Sequence, residues 1–171
     1  MFEIGDAVVY SSSGVARIID VRDEKITDSH QHCLILETVN GALIKLPLEK
    51  AEAGGVRKVI NEEEVPGVIE ILRKRGMTTD SQTWNRRLRD YQEKMKTGSI
   101  FNVAEVFRDL TLLKESKDLS YSERRILDQA GNLLINELSF AKKTDTNEIE
   151  STINRIFSKS TPATSPDEHQ T

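Results

Sequence analysis

Few residues of this 171-residue chain have types and spacing suited to chemistry. His30 and His32 could offer two imidazoles from one strand face to a metal. No cysteine or further histidine pair completes such a set, so a hairpin surface is the simpler reading, and His169 lies near the far end of the chain. Cys33 is the only cysteine, which excludes a disulfide framework. Within Cys33-Leu34-Ile35-Leu36 it reads as a buried small hydrophobe. Ser11-Ser12-Ser13 reads as a turn, because no histidine stands in a recognisable nucleophile motif. Glu62-Glu63-Glu64 reads as a helix start, where acids favour the positive end of the dipole. Phosphate-loop, GxGxxG and GxSxG patterns are absent. No enzymatic activity, metal or cofactor is expected.

One segment has a different character: Thr83-Trp84-Asn85-Arg86-Arg87-Leu88-Arg89-Asp90-Tyr91. The only tryptophan of the chain stands beside Arg86, Arg87 and Arg89 on one expected helix. Two readings are open. Trp84 shares a helix face with Leu88 and Tyr91, so it could be core, with the arginines solvated. Alternatively it protrudes from the first turn, where an aromatic can wedge against a base while arginines hold phosphates. A second segment is the Asn40-Gly41 hairpin signal followed by Leu43-Ile44-Lys45-Leu46-Pro47. A strand there would offer its edge to another sheet, or Pro47 would protect it.

The elements that position these segments fall into two kinds. Short branched runs fill the first third: Ala7 to Tyr10, Val15 to Val21, Leu34 to Leu36, and Ala42 to Leu46. Val15, Arg17, Ile19 and Val21 are expected on one strand face, and the polar stretch Asp23 to His30 as a hairpin connection. This is the pattern of a small barrel-like sheet. After Gly54-Gly55 the period becomes helical. Val65, Val68, Ile69 and Leu72 mark one helix, with Pro66 in its first turn and Gly76 as its stop. Asp80 or Ser81 can cap the helix that carries Trp84, which stops near Gly98. Ile100 to Leu113 is a third helix. Ser120-Tyr121-Ser122-Glu123 fits a reciprocal capping box and opens a long fourth. Ile149, Ile153, Ile156 and Phe157 form the face of a last one. The fold class is therefore α+β, with a small β domain at 1–59, a bundle of about five helices at 60–159, and a disordered tail at 160–171, rich in Ser, Thr and Pro.

Composition bounds the partners. Apolar residues make up 37% and charged residues 30%, as in a soluble globular protein. No run is apolar and long enough for a membrane span, and Met1 to Asp6 lacks the start of a signal peptide. With a single cysteine, a cytoplasmic site is expected. The net charge of −4 argues against a free-standing nucleic-acid binder. Charge is uneven, however: Arg73 to Lys96 holds eight basic and three acidic residues, a net of +5. A basic patch on an acidic chain suggests weak nucleic-acid contact assisted by a second partner.

These segments together resemble the CarD/CdnL family of bacterial transcription regulators. The resemblance is carried by Phe2-Glu3-Ile4-Gly5-Asp6-Ala7-Val8-Val9-Tyr10 with Gly14-Val15, by Ile44-Lys45-Leu46-Pro47, and by Gly55-Val56-Arg57. It continues through Thr83-Trp84-Asn85-Arg86-Arg87, Lys96-Thr97-Gly98, Ala104 to Leu110, and Leu119 to Arg124. It implies a Tudor-like module, shared with the transcription-repair coupling factor, that docks on the RNA polymerase β subunit through Ile44, Lys45, Leu46 and Pro47. It further implies that Trp84 wedges into the minor groove at the upstream edge of the melted promoter. Arg86, Arg87 and Arg89 would hold the backbone there, and Arg124 and Arg125 would add to the basic surface. The DNA contact would be weak and largely non-sequence-specific, the protein a monomer, and its location the nucleoid through the polymerase. The competing reading is an adaptor: a Tudor-like module that binds a peptide, with the helices as spacer, no DNA role, and a buried Trp84.

Overall fold

The computed structural model describes residues 2–10, 13–75 and 83–158. Five antiparallel strands form one sheet in the order β4-β3-β2-β1-β5: β1 Ala7–Tyr10, β2 Gly14–Ile26, β3 Ser29–Thr38, β4 Leu43–Pro47 and β5 Val56–Lys58. A helical turn, α1 Leu48–Lys50, continues through Ala51–Gly55 and joins β4 to β5. The helices α2 Val65–Arg73, α3 Trp84–Lys96, α4 Ile100–Ser116, α5 Tyr121–Lys142 and α6 Thr146–Ser158 follow. The α+β fold class is as the sequence indicates.

Two expectations for the sheet fail for identifiable reasons. The polar stretch Asp23 to His30 is not a loop: β2 runs to Ile26, β3 resumes at Ser29, and Thr27 makes the turn at φ 58°. Its residues are polar because this ribbon is exposed, with cross-strand pairs such as Asp23 with His32 at 2.6 Å. Nor do Val15, Arg17, Ile19 and Val21 share a face. A bulge between Ile18 and Asp20 inserts an extra residue, so Ile18 opposes Leu36 while Val21 opposes Leu34. The alternation is thereby reset. Val8, Ala16, Ile18, Leu34, Leu36 and Leu46 pack together as the sheet core, and Ile19 is left exposed. The Asn40-Gly41 signal does mark the β3–β4 turn, with Gly41 at φ 83° and its N–H donating to Thr38 O.

The helices bury one continuous apolar cluster, from Val65, Val68 and Leu72 on α2 to Ile149, Ile153 and Phe157 on α6. Pro66 lies in the first turn of α2, and both oxygens of the Ser120–Glu123 capping box are engaged at the start of α5. A second capping box, Asn61 with Glu64, precedes α2. The proposed stop and caps at Gly76, Asp80 and Ser81, and the tail at 160–171, lie outside the described residues.

Sheet and helices meet on β1, β2 and β5. A Cβ added at Gly14 would stand 2.9 Å from Leu133 Cδ2 of α5, so the start of β2 presses against that helix. Arg57 on β5 makes the polar part of the junction. Its guanidinium forms a two-point pair with Glu137 of α5, at 2.6 and 2.8 Å, and its Nε donates to Gly98 O at 2.8 Å. Glu137 Oε1 also accepts from the Ile60 N–H at 3.2 Å. One buried carboxylate thus ties β5, the segment leaving the sheet, and α5.

Candidate functional site

Trp84 is the first residue of α3, and 43% of it is exposed. A first-turn position accounts for this: the ring has no preceding helical turn to lie against. Leu88 and Tyr91, one and two turns on, are partly and fully buried. The face that the sequence shared among all three therefore enters the core only after Trp84. The indole N–H donates to Glu123 Oε1 at 3.2 Å, a bond that holds the start of α3 to the start of α5.

The arginines divide. Arg86 and Arg89 are exposed on α3, and Arg124 and Arg125 are exposed on the first turns of α5. Arg125 also lies over the Tyr121 ring, 5.9 Å from its centre. Arg87 departs from the expectation that it holds a backbone phosphate. It is 5% exposed, and its Nη2 stands 3.6 Å from Glu123 Oε2. The helical period explains this, because Arg87 lies three residues after Trp84 and four before Tyr91, on the inward face. Lys96 joins Arg125 in lining an open cleft of about 750 Å³ between α3 and α5. Among the described residues, neither Lys96 nor Arg125 has an ion-pair partner.

Beneath Trp84 lies a buried polar group that sequence reasoning did not foresee. Glu123 is 2% exposed and Tyr91 3%. Burial pushes the Glu123 carboxyl up, but hydrogen bonds with Ser120 and Trp84 and the charge of Arg87 outweigh it and hold the carboxyl below its ordinary value of 4.5. Burial and the Asp109 carboxylate push the Tyr91 phenol up to about 12, against the opposing charge of Arg87. Arg87 Nε and Nη2, Tyr91 OH and Glu123 Oε2 have no hydrogen-bond partner among the described residues. Glu123 was legible as a cap residue, but its contacts with Trp84 and Arg87 cross 39 and 36 positions of sequence and carry no local signal.

At the other end of the molecule, β4 is an edge strand. Leu43 is 66% exposed, Ile44 and Pro47 are half-buried, and Lys45 is exposed but paired with Glu24 of β2. Leu46 is 5% exposed and belongs to the sheet core. Its side chain is therefore not offered to a partner, and only its backbone can be. Cys33 is fully buried beside this strand, opposite Pro47. No group of three or more His, Cys, Asp or Glu suited to a metal ion occurs among the described residues, and no described helix is long and apolar enough to cross a membrane.

Residues 2–60, which hold the edge strand, match the model of the CarD-like/TRCF RID domain, and residues 67–154, which hold Trp84 and the arginines, match the CarD C-terminal domain. This chain belongs to the CarD family. It is 32% identical over 153 residues to a Bacillus subtilis (strain 168) protein named "Putative transcription factor YdeB", covering 88% of this chain and 99% of that one. In this CarD-family chain the two matched stretches correspond to the sheet and to the helices.

Proposed function

We propose that the protein is a transcription regulator that docks on the β subunit of RNA polymerase through β4 and stabilises the promoter open complex with the Trp84 corner. Trp84 carries the proposal: a half-exposed indole at a helix start, with Arg86 and Arg89 exposed on the same helix and Arg124 and Arg125 exposed on α5, the helix to which its N–H is bonded. An adaptor without a DNA role calls for a buried Trp84, so this exposure favours the DNA reading. The family's first domain is the one it shares with the coupling factor, which supports the polymerase as partner. Edge β4 suits pairing with a partner strand, with main-chain bonds giving affinity and Leu43, Ile44 and Pro47 giving selectivity.

The two contacts complement each other energetically. An acidic chain binds DNA weakly alone, and docking on the polymerase raises the local concentration of the Trp84 corner. A wedge that fits opened DNA better than closed duplex shifts that equilibrium about tenfold for each ~1.4 kcal/mol of difference. The test is the lifetime of open complexes formed by a cognate polymerase. Wild-type protein lengthens it, and Trp84→Ala does not. Pro47→Arg abolishes capture of the β subunit. Equal lifetimes with wild type and with Trp84→Ala would remove the wedge, and undiminished capture by Pro47→Arg would remove the β4 assignment.

A further inference from the structure

The exposed tryptophan is tied at one edge. Glu123 Oε1 accepts both the Trp84 indole N–H and the Ser120 backbone N–H, each at 3.2 Å. The capping box therefore fixes this oxygen independently of Trp84. At 2% exposure Glu123 cannot touch a macromolecular partner, so whatever it contributes passes through the groups it holds, and of these the indole is the one exposed side chain. Its other oxygen faces Arg87, which is itself buried. We infer that Glu123 is the positioning residue of Trp84: its buried carboxylate latches the indole N–H, so that the exposed ring is oriented before it meets DNA. The consequence for DNA rests on the promoter reading above; the latch itself does not.

The physical argument is preorganisation. A tryptophan at a helix start has two torsions to freeze when it wedges between bases, and freezing them opposes binding. A ring already held loses less. The acceptor is itself fixed, because the same oxygen takes the Ser120 N–H of the capping box. The hydrogen-bonding edge points inward, which leaves the apolar remainder of the ring as the part available for stacking.

Two substitutions separate the parts of this device. Glu123→Gln, with its amide oxygen in the Oε1 position, keeps the Trp84 and Ser120 bonds and sets an uncharged amide NH2 opposite Arg87. Glu123→Ala removes both bonds and the charge. Because the chain has one tryptophan, a nitrogen-labelled sample gives a single indole N–H resonance, whose exchange with water reports the latch. Exchange in wild type and Glu123→Gln is expected to be slower than in Glu123→Ala by roughly tenfold or more. In parallel, the open-complex lifetime with Glu123→Ala falls toward that with Trp84→Ala, while Glu123→Gln retains the wild-type value. Wild-type exchange as fast as in Glu123→Ala overturns the latch. A protected wild-type N–H with a full lifetime in Glu123→Ala, against a shortened one in Trp84→Ala, overturns the positioning role and leaves the promoter reading standing. If Trp84→Ala itself leaves the lifetime unchanged, the promoter reading falls and exchange alone decides the latch. Should Glu123→Ala fail to fold, benzothienylalanine at position 84 replaces the N–H with sulfur in the same ring shape; a shortened lifetime supports the latch, and a wild-type lifetime overturns it.

Discussion

Two carboxylates on α5, Glu123 and Glu137, are equally buried, and each faces an arginine, yet their surroundings differ. They stand ~21 Å apart along the helix. Glu137 is saturated: both oxygens take Arg57, and one also takes the Ile60 N–H. Glu123 takes Trp84 and Ser120 on one oxygen, while the other faces Arg87 at 3.6 Å without a hydrogen bond. The saturated site joins sheet to helices in one geometry. The incomplete site holds a residue that the surface presents. A buried charge can thus serve as a fixed joint or as a support for an exposed side chain, and its hydrogen-bond count separates the two.

The largest effect should come from opening the joint. Arg57→Met leaves Glu137 buried without its counter-charge and is expected to cost about 3 kcal/mol in urea unfolding. A loss below about 1 kcal/mol would show that the pair is not a closed one. The Tyr91 phenol comes next. Its folded value, about 12, lies above its ordinary value of 10. The folded chain therefore holds the proton more tightly, and the stability this contributes is complete below pH 10 and lost as pH rises toward 12, by roughly 2 kcal/mol. Tyr91→Phe should flatten that part of the alkaline unfolding curve; an identical slope in the variant would contradict it. Arg87→Met should cost less than Arg57→Met, about 1 kcal/mol, because Glu123 keeps its hydrogen bonds with Trp84 and Ser120. Equal costs would erase the distinction drawn between the two sites. Smallest is the acid branch. The Glu123 carboxyl is depressed in the folded state, so its contribution is complete above its ordinary value of 4.5 and lost as pH falls through the lower folded value. Glu123→Gln should reduce the loss of stability over that range, measured as the unfolding midpoint in denaturant; an unchanged acid slope would count against it.

Much of this was legible because it is local. Hydrophobic period, Gly41 at its turn, Pro66 in a first turn and the Ser120–Glu123 box each express a preference within a few residues, and the structure follows them. The misread sheet segments show where locality ends. Polar residues of the β2–β3 ribbon imitate a loop because exposure, not conformation, selects their polarity. The bulge at Ile18–Asp20 breaks an alternation that sequence alone assumes to be regular.

The candidate site divides along the same line. The sequence by itself determined that a lone tryptophan and several arginines stand near a helix start, and that a strand follows the Asn40-Gly41 turn and reaches Pro47. Tertiary structure decided which of these face outward. It buried Arg87 and Leu46, left Trp84 half-exposed, and paired Arg57 with Glu137 across 80 positions. The reason is that burial and ion pairing depend on how helices cross and on which strand packs against which helix. Those are properties of contacts distant in sequence, and no spacing rule within one element encodes them.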